Sequence, residues 1–200
     1  MQKKIFVFLT TVLFLAPIIV LAEQGQGEEF HQQQKAKRQE HKEKNQQEGK
    51  AFRETLKGKT PQEKTAALKE HRETKHQENK AFNTQMHQEN MDFLKNKLAN
   101  NSKLTDAQKS ELISHFESQY QENVSFREQG HSENVAFFEQ TANNSDMTQE
   151  QKKAAIKAHF EEEKAKTKEH FEQQKTESKA EREKIHSEAA AKPQEAAGVK

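Results

Sequence analysis

The chain has 200 residues and an almost even charge balance, with 33 Lys and Arg against 32 Asp and Glu and a formal net charge of +1. This balance gives no reason to expect nucleic-acid binding, because proteins that bind nucleic acid concentrate positive charge. The chain contains no cysteine, which excludes disulfides, thiol catalysis and a lipid attached to cysteine. Glu, Lys, Gln and Ala dominate while glycine and proline are scarce, a composition that favours helices.

Residues 1–22 predict a secretory signal peptide. Two lysines precede an apolar run from Ile5 to Leu21, and the run ends in a small residue, Ala22. An uncleaved membrane anchor is the alternative, but the run is barely long enough to span a bilayer. We therefore expect cleavage after Ala22 and a periplasmic or secreted protein with no membrane attachment afterwards.

The rest of the chain predicts an all-α fold of long antiparallel helices, arranged as helical hairpins or an extended bundle. Three helix starts are indicated by capping boxes that follow turn-like sequences. The boxes pair Thr60 with Glu63, Thr105 with Gln108 and Thr148 with Gln151. The predicted helices are 29–57, 61–99, 105–142 and 148–188, within a helical region over 23–188. We expect the tail, 189–200, to be disordered.

An eleven-residue repeat runs through the middle helices. The sequence Glu-Asn-x-x-Phe occurs four times, and its phenylalanines are Phe82, Phe93, Phe126 and Phe137. Eleven residues make three helical turns, so repeated side chains return to the same helix face. The second pair of copies follows the first at an offset of 44 residues, which indicates duplication of a helix-turn unit. We expect the repeat asparagines to fix the helix register through side-chain hydrogen bonds.

The repeat phenylalanines lie off the main apolar stripe of their helices. On the third helix, Phe126 and Phe137 lie about 130° or more from the centre of a stripe that runs from Leu112 to Phe138. They form either a second helix–helix seam, which is the favoured interpretation, or a surface that binds a client or partner protein. The client-binding hypothesis names Phe82, Phe93, Phe126 and Phe137.

The sequence predicts no enzyme, because no nucleophile motif, phosphate-binding glycine loop or zinc-binding helix is present. No cofactor is expected. The ten histidines are interpreted mainly as polar members of helical seams, whose packing would then depend on pH. The weak candidates for a metal site are His159, Glu163 and His170.

The helix starts carry a family resemblance. Leu104-Thr105-x-x-Gln108 resembles the LTxxQ motif of the Spy/CpxP family, and Met147-Thr148-x-x-Gln151 and Thr60-x-x-Glu63 are similar to it. The resemblance implies a small all-α periplasmic protein, often a cradle-shaped antiparallel dimer. Such proteins act as ATP-independent chaperones or modulate envelope-stress signalling, and some relatives sense metals.

The leading functional hypothesis is therefore a non-enzymatic helical protein that binds unfolded clients or an envelope partner. A homo-oligomer is expected, because one apolar stripe per helix barely offsets the entropy lost on ordering. The alternatives are a coiled-coil-like spacer and, with less support, a histidine-based metal binder. The sequence leaves open the client, the oligomeric state and whether the helices fold back or run on.

Overall fold

A computed structural model describes residues 24–196, which form four long helices and no strand. The helices are α1 (Gln24–Thr55), α2 (Pro61–Ala99), α3 (Asp106–Asn143) and α4 (Gln149–Ala196). The all-α prediction is confirmed. The predicted signal peptide, 1–22, lies outside the described residues.

Two helix bounds differ from the sequence-based ones by more than two residues. Helix α1 begins at Gln24, ahead of the predicted residue 29, and α4 continues past residue 188 to Ala196. The backbone of the first part of the predicted tail is therefore helical. Residues 197–200 lie outside the described part of the chain, and their disorder stays a prediction.

The three capping boxes are present, as the sequence predicted. At α2, Thr60 Oγ1 accepts from the Glu63 amide at 3.3 Å and the Thr60 amide donates to the Glu63 carboxylate at 2.7 Å. The same reciprocal pairs start α3 and α4. Each box satisfies amides that a helix start leaves without a partner. Gly58 has a φ of +79° in the turn before α2, a left-handed conformation that glycine adopts without strain.

The helices fold back on one another instead of running on. Residue numbers fall along α2 as they rise along α1, since Phe30 contacts Phe93 and Phe52 contacts His71. The α2–α3 and α3–α4 pairs are antiparallel in the same way. Helix α1 thus lies beside α2 and α4 beside α3, while α2 and α3 form the centre.

The apolar core is small and sits at the end of the molecule that holds the α2–α3 connection. It consists of Met91, Leu94, Leu98, Leu104 and Ile185. Ile185 brings the end of α4 against α2 as well as α3. Among the described residues, the buried polar side chains outnumber the buried apolar ones, so polar contacts form a large part of the interior outside this core. None of the described helices is apolar over a stretch long enough to cross a bilayer.

Candidate functional site: the ring ladder and its asparagine clamps

Aromatic and histidine rings stack in pairs across all three helix seams, and we call these pairs the ring ladder. Its rungs are Phe30–Phe93, His41–Phe82 and Phe52–His71 between α1 and α2, His76–His131 and His87–Tyr120 between α2 and α3, and Phe126–His170 and Phe137–His159 between α3 and α4. The ring centroids are 3.6 to 4.1 Å apart. Successive rungs of a seam are separated by eleven residues on both helices, or about 16 Å along the axis. The repeat in the sequence therefore appears in the structure as a repeat of contacts.

Three of the repeat asparagines complete a rung by hydrogen bonding to its histidine, an arrangement we call the asparagine clamp. His41 Nε2 lies 2.7 Å from Asn79 Oδ1, three residues before the phenylalanine on which the ring stacks. The other two clamps join His170 to Asn123 at 3.0 Å and His159 to Asn134 at 2.8 Å. The side-chain hydrogen bonds expected of the asparagines are present at these three positions, and their role in fixing the register stays a prediction.

The amide orientation in the Asn123 and Asn134 clamps is set by the asparagine's own helix. Asn134 Nδ2 donates to the Gly130 carbonyl at 2.6 Å, one turn back, so Oδ1 faces the His159 ring. An amide oxygen can only accept, so the histidine Nε2 must carry a hydrogen. His159 and His170 thus each contribute an apolar face to the phenylalanine and a donor to the asparagine, while in the third clamp Asn45 Nδ2 lies 3.0 Å from His41 Nε2 and 3.1 Å from Asn79 Oδ1.

The fourth asparagine, Asn90, has no such partner. It is fully buried, and neither Oδ1 nor Nδ2 forms a hydrogen bond. The rung at this level is Phe30 on Phe93, so a phenylalanine occupies the place that histidine takes in the other clamps and offers no donor. The nearby Gln34 is also buried and leaves its Oε1 unpaired. An unsatisfied buried amide costs about 1–3 kcal/mol, which makes this the weakest of the four positions.

The central seam uses carboxylates in place of asparagines. His76 and His131 stack at 3.7 Å. His76 Nε2 lies 3.2 Å from Glu128 on α3, and His131 Nε2 lies 3.1 Å from Glu73 on α2. The next rung follows the same plan, since His87 stacks on Tyr120 and lies 2.9 Å from Glu117.

Burial shifts the ionisation of two histidines on the ladder. The pKa of His170 is lowered by burial, and the nearby Arg127 acts in the same direction against the attraction of Glu122. The pKa of His71 is also lowered, first by burial and then by Lys75. Arg127 itself has buried Nε and Nη2 atoms without a hydrogen-bond partner. Charge inside the molecule is therefore only partly compensated around the Phe126–His170 rung.

The four phenylalanines of the client-binding hypothesis lie in the seams and are half-buried. Phe82 and Phe93 face α1, and Phe126 and Phe137 face α4. This placement agrees with the favoured interpretation, in which these rings form a second helix–helix seam. Binding of a partner by these rings stays a prediction. The one large apolar side chain exposed among the described residues is Phe160, with 39 % of its surface accessible.

The weak metal candidates have other partners in this structure. His159 and His170 belong to two different clamps, and Glu163 lies 3.2 Å from Lys166. Within residues 24–196, no three or more histidine or carboxylate side chains are placed to hold one ion.

The motif residues of the helix starts are structural in this fold. Leu104 is buried in the core, and Gln108 is buried with its side chain turned back to cap α3. Thr105, Thr148 and Gln151 form capping contacts, as Thr60 and Glu63 do, and Met147 is half-buried. Comparison of the chain with protein-family models, curated proteins and solved structures finds no significant match. The resemblance to the Spy/CpxP family therefore rests on these motifs alone.

Proposed function

We propose that the protein is a non-enzymatic helical protein of the bacterial envelope that binds other proteins, in the manner of an ATP-independent chaperone. The periplasmic or secreted location is supported by residues 1–22, and the chaperone class by the LTxxQ-like helix starts at Leu104 and Met147. Association of two copies is part of the proposal, because the apolar core of one chain is small.

The observation that carries the proposal is the shallow covering of the repeat phenylalanines. Each ring stacks on one ring of an outer helix and remains half-buried. When α1 or α4 moves away, two phenylalanines about 16 Å apart become accessible on the central hairpin, which consists of α2 and α3. A row of apolar rings among charged side chains suits a flexible client better than a rigid one.

Opening is least costly for α1, which contributes no residue to the apolar core, whereas opening of α4 would withdraw Ile185 from it. A stacked ring pair contributes about 0.5–1.5 kcal/mol and a clamp hydrogen bond about 1 kcal/mol. The unpartnered Asn90 amide favours separation of α1 from α2. Regions with few buried apolar contacts open at a fraction of the global free energy of unfolding.

Stapling the seams tests this mechanism. The chain has no cysteine, so cysteines placed at Lys37 and Glu89, and at Glu133 and Lys166, would be the only thiols. These pairs bridge α1–α2 and α3–α4 at 2.7 and 3.4 Å between charged atoms. A short bis-maleimide would join each pair, and the matched control is the same variant capped with N-ethylmaleimide.

We expect the capped protein to suppress aggregation of an unfolded test protein and the stapled protein to lose that activity. Equal activity in the two forms would show that binding does not need open seams. If the unmodified protein also failed to suppress aggregation, the proposal of a chaperone function would be wrong.

A structural spacer is the second candidate, and the length of the helices favours it. Helix α4 has 48 residues, which span about 72 Å, and the ladder ties the outer helices along their length. A spacer predicts end-to-end oligomers in small-angle scattering. A client-binding protein predicts a particle no longer than one helix.

A further inference from the structure

A groove between α3 and α4 is unexplained by the ring ladder or the core. It has a volume of about 620 Å³ and is lined by His115, Ser118, Glu122, Glu177, Glu181 and Lys184, among others. His115 is half-buried, and its Nε2 atom is buried and forms no hydrogen bond, so the ring contributes a face to the groove. No ring stacks on His115 in the part of the chain that the structure describes.

The internal duplication shows what this groove lacks. His115 is the copy of His71 at the 44-residue offset, and His71 stacks on Phe52 of α1 with centroids 3.8 Å apart. On the α3–α4 seam, the rungs step from Phe137–His159 to Phe126–His170. One further step of eleven places His115 opposite Glu181. The groove is therefore the third rung of this seam. It has a glutamate at the position where the α1–α2 seam has Phe52.

The charge around the vacant rung is negative. Glu122, Glu177 and Glu181 line it, and none of the three forms an ion pair with a described residue. Lys184, the one cation in the lining, is already paired with Glu111. A neutral ring, such as Phe52 supplies in the α1–α2 seam, would add no positive charge to this lining.

A guanidinium group satisfies both features of the groove. It is flat and stacks on ring faces, and its fork of donors matches carboxylate geometry, whereas a lysine ammonium has no face to stack. We propose that the groove on His115 binds an arginine side chain presented by a partner protein. This inference rests on the proposed protein-binding function, whose partner contact it specifies, but it does not require the seams to open.

Titration of the protein with blocked amino acids tests the proposal. The probe is N-acetyl-arginine methylamide, compared with the lysine and phenylalanine equivalents, and the readout is the His115 side-chain resonances in NMR spectra. We expect saturable shifts with arginine only. The Glu177→Gln/Glu181→Gln double variant should bind at least about fivefold more weakly. The matched control, Glu169→Gln/Glu172→Gln on exposed positions of α4, should bind as the unchanged protein does.

Three results would overturn the proposal: no saturable shift with arginine, equal shifts with lysine, or preferential binding of phenylalanine. The same titration on the stapled protein separates this proposal from the opening mechanism, because the groove is present with the seams closed.

Refilling the rung gives an independent check. Glu181→Phe places a ring on His115, as Phe52 does on His71 in the α1–α2 seam. The variant should therefore raise the midpoint of thermal unfolding and abolish arginine binding. Glu183→Phe, at an exposed position of the same helix, should do neither. A lower midpoint for Glu181→Phe than for Glu183→Phe would show that residue 181 is not a rung position.

Discussion

Replacing Asn90 with leucine is expected to stabilise the protein, whereas the same change at Asn134 is expected to destabilise it. The two residues occupy equivalent positions in the Glu-Asn-x-x-Phe repeat. They differ in their surroundings, since Asn134 accepts a hydrogen bond from His159 at 2.8 Å while both polar atoms of Asn90 are buried and unpaired. Sequence alone would predict the same sign for both.

The magnitudes follow from these contacts. Removing an unsatisfied buried amide recovers about 1–3 kcal/mol, and the misfit of leucine in an asparagine-shaped site costs up to about 1.5 kcal/mol. Asn90→Leu should therefore raise the free energy of unfolding by about 1 kcal/mol. Asn134→Leu loses a hydrogen bond worth about 1 kcal/mol and leaves the His159 donor without its partner. The two variants should differ by about 2 kcal/mol.

Urea unfolding followed by far-ultraviolet circular dichroism measures this difference, at about pH 7.5. The slope of the free energy against urea concentration should be the same for all three proteins, so that the midpoints report stability alone. Equal effects of the two substitutions, or a loss of stability in Asn90→Leu, would refute the assignment of Asn90 as an unfilled clamp.

Three further predictions concern single side chains. Phe30→His supplies the missing donor to Asn90. Made alone, it should raise the free energy of unfolding in urea, and made together with Asn90→Leu, it should give no further increase. Because the pKa of His170 is lowered in the folded state, chiefly by burial, the unfolded chain binds more protons below about pH 6.5, and stability should fall as the pH drops through this range. His170→Gln should flatten that fall in unfolding midpoints, while His186→Gln at an exposed position should leave it unchanged. Thr105→Ala removes the α3 cap and should cost about 1 kcal/mol in urea unfolding, with Thr105→Ser close to neutral.

The helices and their starts could be predicted from sequence because the signals are local. A capping box such as Thr105 with Gln108 lies within four residues, and the eleven-residue period marks one helix face. That the repeat asparagines form side-chain hydrogen bonds could be predicted from their register, but their histidine partners lie on other helices. The placement of Phe126 and Phe137 between helices was one of two interpretations, since periodicity shows that a face exists and not what covers it.

The pairing of the rings could not be read in the same way, because antiparallel partners have no constant separation along the chain. Phe137 and His159 are close in sequence, and Phe126 and His170 are much farther apart, yet both pairs form equivalent rungs. Only the register of the two helices relates them. The matching eleven-residue spacing of His159 and His170 was the available signal, and it needed a partner helix to be interpreted.

A ladder of near-identical rungs has an alternative register, and the connections decide how the molecule can move. If α1 shifted by one rung, His41 would meet Asn90 and Phe93 and would fill the empty clamp. That shift covers about 16 Å, which the short connection between Thr55 and Pro61 cannot span without unwinding helical turns. The same argument holds for α4, which follows α3 after the short segment 144–148 and is anchored by Ile185 in the core. The outer helices α1 and α4 therefore cannot slide by one rung. They can move only by separating from the central pair, α2 and α3. Separation of α1 uncovers Phe82 and Phe93 and leaves the core intact, because α1 contributes no residue to it, whereas separation of α4 would withdraw Ile185 from the core.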